Sequence, residues 1–203
     1  MSGKWTLGAA LCGPFLSMIV CGHALADAGD GLMHRQPWES CRYCHGGAPA
    51  DDLPPPVPVI DGQSGPYIEK QLADYRSGRR DDSSMLMGSA LLLLDPRNDR
   101  AVARHFEHLP PPASAPDTGW SQGASLYWKG RSGVPACAGC HGGPDRGSSL
   151  PRVFGQGKRY LLRQLLGFAS GARANDRDRV MRRIAVELNT QEMEAVSDYL
   201  ARH

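Results

Sequence analysis

Apolar side chains recur every three or four positions in several parts of this chain, which is the spacing of one buried face of an α-helix. The two clearest segments are 66–77 and 159–170. Their apolar positions are Ile68, Leu72 and Tyr75 in the first and Leu161, Leu165 and Phe168 in the second. Gly78 and Gly171 follow these segments, and glycine commonly ends a helix. The pattern therefore predicts one such helix in each half of the chain.

Further helices are predicted over 96–107, 120–129 and 191–201, with a shorter and less regular segment over 27–40. Asp95 followed by Pro96 is typical of a helix start, and Thr190 is the expected cap of the last helix. No segment alternates apolar and polar residues with the period of two that marks a half-buried strand. The sequence therefore predicts an all-α protein.

The two halves of the chain repeat each other at an offset of 93 residues. The matched positions are Pro58/Pro151, Gly62/Gly155, Gln63/Gln156, Tyr67/Tyr160, Gln71/Gln164, Leu72/Leu165, Tyr75/Phe168, Ser77/Ser170, Gly78/Gly171 and Arg80/Arg173. An ungapped run of this length indicates two related domains in tandem. The proline-rich segment 109–116 cannot continue a helix and should form a stiff spacer. A boundary near Pro112 gives domains over 27–112 and 113–203.

Residues 1–26 have the features of an export signal. Lys4 gives a positive start, residues 7–20 are mostly apolar, and residues 24–26 read Ala-Leu-Ala, a pattern of cleavage sites. The apolar run is shorter than the ~20 residues that span a bilayer, so we expect cleavage rather than a membrane anchor. No other segment is long and apolar enough to cross a membrane.

All four cysteines that remain after cleavage lie in two C-x-x-C-H motifs, Cys41-Arg-Tyr-Cys44-His45 and Cys137-Ala-Gly-Cys140-His141. This motif is the attachment signature of c-type haem, in which both thiols bond to the porphyrin and the histidine binds the iron. The sequence therefore predicts two covalently bound haem c groups, one in each domain. A thiol redox site or a zinc site is the alternative for a C-x-x-C pair, and the histidine after each pair argues against it.

Each domain also offers a methionine as the second axial ligand, which is common in electron-transfer cytochromes. A register that pairs Met87 with Met181 also pairs the residues that follow, which are Leu94/Leu188, Ala101/Ala195 and Val102/Val196. The predicted axial pairs are therefore His45 with Met87 and His141 with Met181.

Five other residues are rival ligands. Met85 is the alternative to Met87, because pairing it with Met181 also keeps a methionine in both domains but loses the matches that follow. Met193 falls at a core position of the last helix and is expected to pack there. His34, His105 and His108 lie outside the motifs and are expected at the surface or at the haem rim.

The net charge of +2 conceals an asymmetry between the domains. Residues 27–112 carry 9 Lys and Arg against 13 Asp and Glu, a net charge of −4, and residues 113–203 carry 13 against 8, a net charge of +5. Such a dipole can orient the molecule toward a charged redox partner, and chance divergence of two domains explains it equally well. No recognisable nucleic-acid module accompanies the basic half, so nucleic acid is not an expected partner.

Each domain thus has C-x-x-C-H-G-G, P-x-x-x-G-Q-x-x-x-Y, Q-L, S-G-x-R and a downstream methionine. This combination resembles the dihaem class I cytochromes c of the cytochrome c4 family over essentially the whole mature chain. The haem subunit of flavocytochrome c sulfide dehydrogenase shares the same plan. The resemblance implies two tandem class I cytochrome c domains about an approximate twofold axis, with their haem propionate edges facing each other. It also implies electron transfer in the bacterial periplasm.

The expected function is therefore electron transport and not catalysis. The protein would take one electron per haem from a quinol-oxidising complex or a dehydrogenase and deliver it to a terminal oxidase, with peripheral docking to a membrane complex. One alternative is the electron-accepting cytochrome subunit of a flavoprotein dehydrogenase such as flavocytochrome c. An alternative of another class is a haem peroxidase or gas sensor with one open iron site, which requires a site that lacks methionine.

Overall fold

The computed structural model describes residues 36–49, 51–81, 84–113, 121–142 and 149–203. The expected export signal over 1–26 and most of the segment predicted over 27–40 lie outside these residues. Residues Pro37–His203 form one compact unit. Within the described ranges the β structure is limited to one isolated bridge between Arg131 and Val134, which confirms the all-α prediction. No helix in these ranges has the length and apolar character needed to cross a bilayer.

The α-helices of the described residues are α1 (Glu39–His45), α2 (Gly65–Arg76), α3 (Leu86–Leu92), α4 (Asp99–Glu107), α5 (Gln122–Lys129), α6 (Ala138–His141), α7 (Lys158–Ser170), α8 (Val180–Ala185) and α9 (Thr190–Arg202). Short 3₁₀ turns precede α4 at Pro96–Asn98 and α8 at Arg177–Arg179. The helix order in the second half therefore repeats the order α1 to α4 in the first, with α5 added before it.

Helices α2 and α7, which are matched in the repeat, lie within one residue of their predicted bounds. The side chain of Ser64 caps α2 by accepting a hydrogen bond from Tyr67 N at 3.3 Å. Gly171 ends α7 in the left-handed conformation, with φ +79°, as the sequence predicts.

Each half has its own hydrophobic core. In the first half the buried core residues come from α2, α3 and α4, and they are Ile68, Leu72, Leu91, Val102, Ala103 and Phe106. In the second half they come mainly from α5, α7 and α9, and they are Ala124, Leu126, Tyr127, Val134, Leu161, Leu188, Met193, Val196, Tyr199 and Leu200. Two cores in one chain agree with two tandem domains, while the exact boundary near Pro112 stays a prediction.

Helices α5 and α9 cross at very short range because Gly123 has no side chain. A Cβ atom at this position would overlap the carbonyl oxygen of Ala195. The α5–α9 crossing closes the second core beside the haem-attachment motif of that half.

The predicted caps need two corrections. Asn189, and not Thr190, caps α9: its side chain accepts from Glu192 N at 2.9 Å, and the Glu192 carboxylate accepts from Asn189 N at 3.0 Å. This reciprocal pair is a capping box, and it fixes the cap three residues before the glutamate. Asp95 does accept from Arg97 N at 2.9 Å, but the turn that it caps is 3₁₀ before it becomes α4.

The described part of the spacer, residues 109–113, passes over equivalent glycines of the two halves. Pro111 lies against Gly62, where an added Cβ would be 2.8 Å from the proline ring, and Pro112 lies against Gly155, where it would be 3.0 Å away. Both glycines also have a positive φ, +67° and +71°, that other residues adopt at a cost. The glycine of the repeated P-x-x-x-G-Q motif is therefore required by its backbone conformation and by the close passage of the spacer.

Candidate functional site

The first C-x-x-C-H motif forms α1 and ends at His45. His45 Nδ1 lies 2.8 Å from Pro58 O, to which it donates a hydrogen bond. That bond leaves the Nε2 lone pair unprotonated, and burial lowers the pKa of His45, which keeps the ring neutral. Nε2 lies 3.4 Å from Met87 Sδ. Two electron-pair donors therefore face each other with no proton between them, and this arrangement suits an axial pair on iron.

Met85 has different surroundings from Met87. Its side chain is 72% exposed, and its backbone is left-handed, with φ 59°, just before α3. Met87 is half-buried and packs against the first core. The geometry therefore favours Met87 of the two candidates.

The second motif ends in α6 at His141, whose Nδ1 lies 3.0 Å from Pro151 O. Pro58 and Pro151 are matched residues of the repeat, so an equivalent proline carbonyl orients the motif histidine in each half. Met181 is half-buried in the first turn of α8.

The four motif thiols follow the same division in both halves. The first cysteine of each motif, Cys41 or Cys137, is half-buried and packs against its core, and burial raises the pKa of both thiols. The second cysteine, Cys44 or Cys140, is exposed. Each motif therefore has one thiol packed against the core of its half and one thiol at the protein surface.

The rival ligands lie elsewhere, apart from Met85. Met193 is 3% exposed within the second core. His105 stacks on Trp38, with ring centroids 4.3 Å apart. His108 Nδ1 lies 2.6 Å from the carbonyl oxygen of Arg104, within its own helix end. His34 lies outside the described residues.

The sequence did not assign any role to the matched polar residues of the repeat, and many of them meet between the halves. Gln63 donates to Arg152 O at 2.9 Å and accepts from Arg152 N at 2.7 Å. Its repeat partner Gln156 donates to Val59 O at 2.6 Å and accepts from Val59 N at 3.1 Å. Since Val59 and Arg152 are themselves matched at the same offset, the contact is reciprocal, as a twofold axis requires.

Two arginines extend this reciprocal contact. Arg80 donates to Gln71 in its own half at 2.6 Å and to Tyr160 in the other half at 3.2 Å. Arg173 donates likewise to Gln164 at 2.7 Å and to Tyr67 at 3.2 Å. We call the surface formed by these residues together with Gln63 and Gln156 the seam.

The seam carries buried positive charge that neutral groups surround. Arg80 is 8% exposed, and no carboxylate among the described residues contacts it. Burial works to raise the pKa of Tyr67, but Arg173 and Arg80 outweigh it and lower that pKa. A buried cation normally has an anionic partner. The acidic groups of a bound haem fit this requirement, so the residues present suit the cofactor that the motifs predict.

Comparison with known proteins agrees with this geometry. No protein-family model matches the chain. The sequence is 32% identical over 205 residues to cytochrome c4 of Azotobacter vinelandii, covering 94% of this chain and 97% of the relative. The chain belongs to the cytochrome c4 family. The crystal structure of reduced recombinant cytochrome c4 from Pseudomonas stutzeri matches with a TM-score of 0.69 and 30% identity, covering 87% of this chain and 97% of that one.

A second kind of relative is also similar. The thiosulfate dehydrogenase electron acceptor of Stutzerimonas stutzeri is 34% identical over 170 residues, covering 80% of this chain and 78% of the relative.

Membership of the cytochrome c4 family confirms the main sequence predictions. The protein has two tandem class I cytochrome c domains and carries two covalently bound haem c groups. It is an electron-transfer protein and not an enzyme. The individual ligand and attachment residues, by contrast, stay predictions.

Proposed function

We propose that this protein is a periplasmic electron carrier that takes one electron per haem from a quinol-oxidising complex or a dehydrogenase and delivers it to a terminal oxidase. The observation that carries the proposal is the paired arrangement of His45 and Met87, whose electron-pair donors converge at 3.4 Å. A site closed by two protein ligands favours electron transfer over substrate binding. Periplasmic location is supported by the export signal expected over 1–26 and by the family.

The proposed haem-binding residues are two thiols, one histidine and one methionine in each half. They are Cys41, Cys44, His45 and Met87 in the first half and Cys137, Cys140, His141 and Met181 in the second. The haem supplies a one-electron change between ferric and ferrous iron. The protein's own contribution is to orient each histidine through a proline carbonyl, to present a thioether that favours the ferrous state, and to hold positive charge at the seam.

A second candidate function is that of a dedicated electron acceptor for one dehydrogenase. It is favoured by the similarity to the thiosulfate dehydrogenase electron acceptor. An acceptor bound to a flavoprotein dehydrogenase has the same sequence motifs. Native purification separates these alternatives from a free carrier, because a dedicated acceptor elutes in a stable stoichiometric complex and a free carrier elutes alone.

Carbon monoxide binding tests the closed-site proposal. In the reduced wild-type protein we expect little binding at either haem, because methionine occupies the sixth position. Reduced Met87→Leu should bind carbon monoxide rapidly at one haem, and oxidised Met87→Leu should lose the weak red absorption band of iron–methionine ligation at that haem.

Met85→Leu is the matched control and should behave as the wild type does. If Met85→Leu opens the iron and Met87→Leu does not, the ligand assignment in the first half is wrong. Rapid, stoichiometric binding at one haem of the wild type would instead support the peroxidase or gas-sensor alternative.

A further inference from the structure

The segment that leads to Met181 is attached to the other half of the molecule. Asn175 lies six residues before Met181, and its side-chain NH₂ donates to Asp74 Oδ2 at 2.7 Å and to Gln71 Oε1 at 3.0 Å, both on α2. The backbone oxygen of Asn175 accepts a hydrogen bond from Lys70 Nζ at 2.6 Å. The three groups of α2 therefore hold one residue of the second half by its side chain and its backbone.

Asp74 is the anchor of this contact. Its side chain is only 3% exposed, and it accepts hydrogen bonds from Lys70, Arg79 and Asn175. Burial works to raise the pKa of Asp74, but these hydrogen bonds outweigh it and lower the pKa. The carboxylate is therefore charged and fixed in place, which makes it a strong acceptor for the Asn175 amide.

The attachment continues from Asn175 to the residue beside Met181. Asp176 accepts from the backbone N–H of Arg182 at 3.0 Å and from its Nε at 2.7 Å. The Asp176 side chain is 4% exposed. A chain of short contacts thus joins α2 of the first half to the first turn of α8, in which Met181 lies.

The sequence does not allow the reciprocal attachment in the first half. The repeat partner of Asp74 is Gly167, which has no carboxylate, and the residue that corresponds to Arg182 is Gly88. The segment before Met87 is also one residue shorter than the segment before Met181. The contact therefore breaks the twofold symmetry that the rest of the seam follows.

We propose that Asp74 and Asn175 are positioning residues through which the first domain holds Met181 against the iron of the second haem. The proposal rests on Met181 being the ligand, as proposed above. Methionine ligation at the second haem then depends on the first domain. Ligation at the first haem does not depend on the second domain in this way, because Gly167 stands where Asp74 would be.

Imidazole competition on the oxidised, haem-loaded full chain tests this proposal. Imidazole displaces an axial methionine, so its dissociation constant at each haem reports how firmly that methionine is held. Asn175→Ala should lower the dissociation constant at the second haem by about tenfold, because two hydrogen bonds are lost, and should change the first haem by less than about twofold. Spectra of Met181→Leu and Met87→Leu assign the signals to the two haems.

Two further variants separate positioning from general stability. Arg100→Gln is the matched control, because Arg100 contacts a different carboxylate of α2, that of Glu69, from within the first half and its side chain is 71% exposed. We expect it to leave both imidazole constants within about twofold of the wild type. Asn175→Asp places a second carboxylate opposite Asp74, so it should weaken the binding of Met181 to the second haem. The double variant Asp74→Asn/Asn175→Asp exchanges the two groups and should restore the imidazole dissociation constant at that haem to within about twofold of the wild type.

The outcomes separate the ligand role of Met181 from the positioning role of Asp74 and Asn175. If Met181→Leu leaves the iron–methionine signals of both haems intact, the ligand assignment is wrong. If Met181→Leu abolishes one signal while Asn175→Ala leaves the imidazole constant at that haem unchanged, the ligand assignment stands and the positioning role is refuted. Failure of the exchange variant to restore the constant also refutes it.

Discussion

At the scale of single residues, the clearest electrostatic contact is the one between Arg131 and Glu192. Arg131 Nε donates to one carboxylate oxygen at 2.6 Å, and its NH2 group donates to the other at 2.8 Å. These hydrogen bonds, with the one from Asn189 N, lower the pKa of Glu192 to about 2. The carboxylate is thus charged in the folded protein at pH values where it would be protonated in the unfolded chain.

This shift predicts a defined pH dependence of stability. Since the folded pKa is depressed, the contribution of Glu192 is complete above its ordinary value of 4.5 and is lost as the pH falls toward about 2. Glu192→Gln should therefore flatten the fall of melting temperature across this window. Glu194→Gln, at an exposed position of the same helix, is the control and should keep the wild-type slope. Equal slopes for the wild type and Glu192→Gln would contradict the assignment.

At the scale of secondary-structure elements, α7 lacks a cap of its own because Gly157 precedes it. Asp51 of the first half supplies the missing acceptor. Its carboxylate accepts from Arg159 N at 3.0 Å and from Tyr160 N at 3.2 Å. The equivalent helix α2 is capped locally by Ser64, so the two halves solve the same problem differently.

Loss of this cap should be measurable. Asp51→Ala should lower the free energy of unfolding by about 1 kcal/mol, the usual cost of losing a helix cap. Asp52→Ala, an exposed neighbour, should have no measurable effect. Urea unfolding of the haem-loaded protein checks both. In the Asp51→Ala background, Gly157→Ser should recover much of the loss, since it returns a local cap; no loss in Asp51→Ala would contradict the role of Asp51.

The sequence predicted the longer helices well, missed the short helices α3, α6 and α8, and was less reliable for the caps. The apolar spacing and the repeat gave α2 and α7 within one residue, because both signals are local. The predicted cap of α9, Thr190, was wrong because threonine and asparagine are both good caps and Asn189 lies next to Thr190. The Asn-x-x-Glu spacing from Asn189 to Glu192 would have decided between them. The cap that Asp51 gives to α7 has no local sequence signal, because Asp51 and the Arg159 N–H that it accepts from are over 100 positions apart.

At the scale of the whole molecule, the seam depends on polar residues that are matched in the sequence repeat but whose contacts the repeat does not predict. The matched glutamines were visible in the sequence, but which backbone each would meet depends on how the two halves dock. Neither spacing nor burial pattern encodes that docking. The asymmetric contact of Asn175 with Asp74 was hidden for the same reason, because it lies outside the matched positions.

The seam should contribute strongly to stability. Gln156→Ala leaves the backbone N–H and carbonyl of Val59, which is 1% exposed, without their partner, so the free energy of unfolding should fall by about 1–3 kcal/mol. Gln63→Ala should cost a similar amount, because the contact is reciprocal. Gln191→Ala, at an exposed position on α9, is the control. If thermal unfolding gives Gln156→Ala and Gln63→Ala a free energy of unfolding within a few tenths of a kcal/mol of this control, the proposed contribution of the seam to stability is contradicted.

The central claim is that each half holds one electron-carrying haem between a histidine and a methionine. A reductive titration of the purified protein, followed by absorption with a haem count, tests this most directly. We predict two haems and two electrons per chain, with an iron–methionine band in the oxidised protein whose intensity accounts for both haems and which disappears on full reduction. Uptake of a single electron, or a band that accounts for one haem alone, would contradict the account.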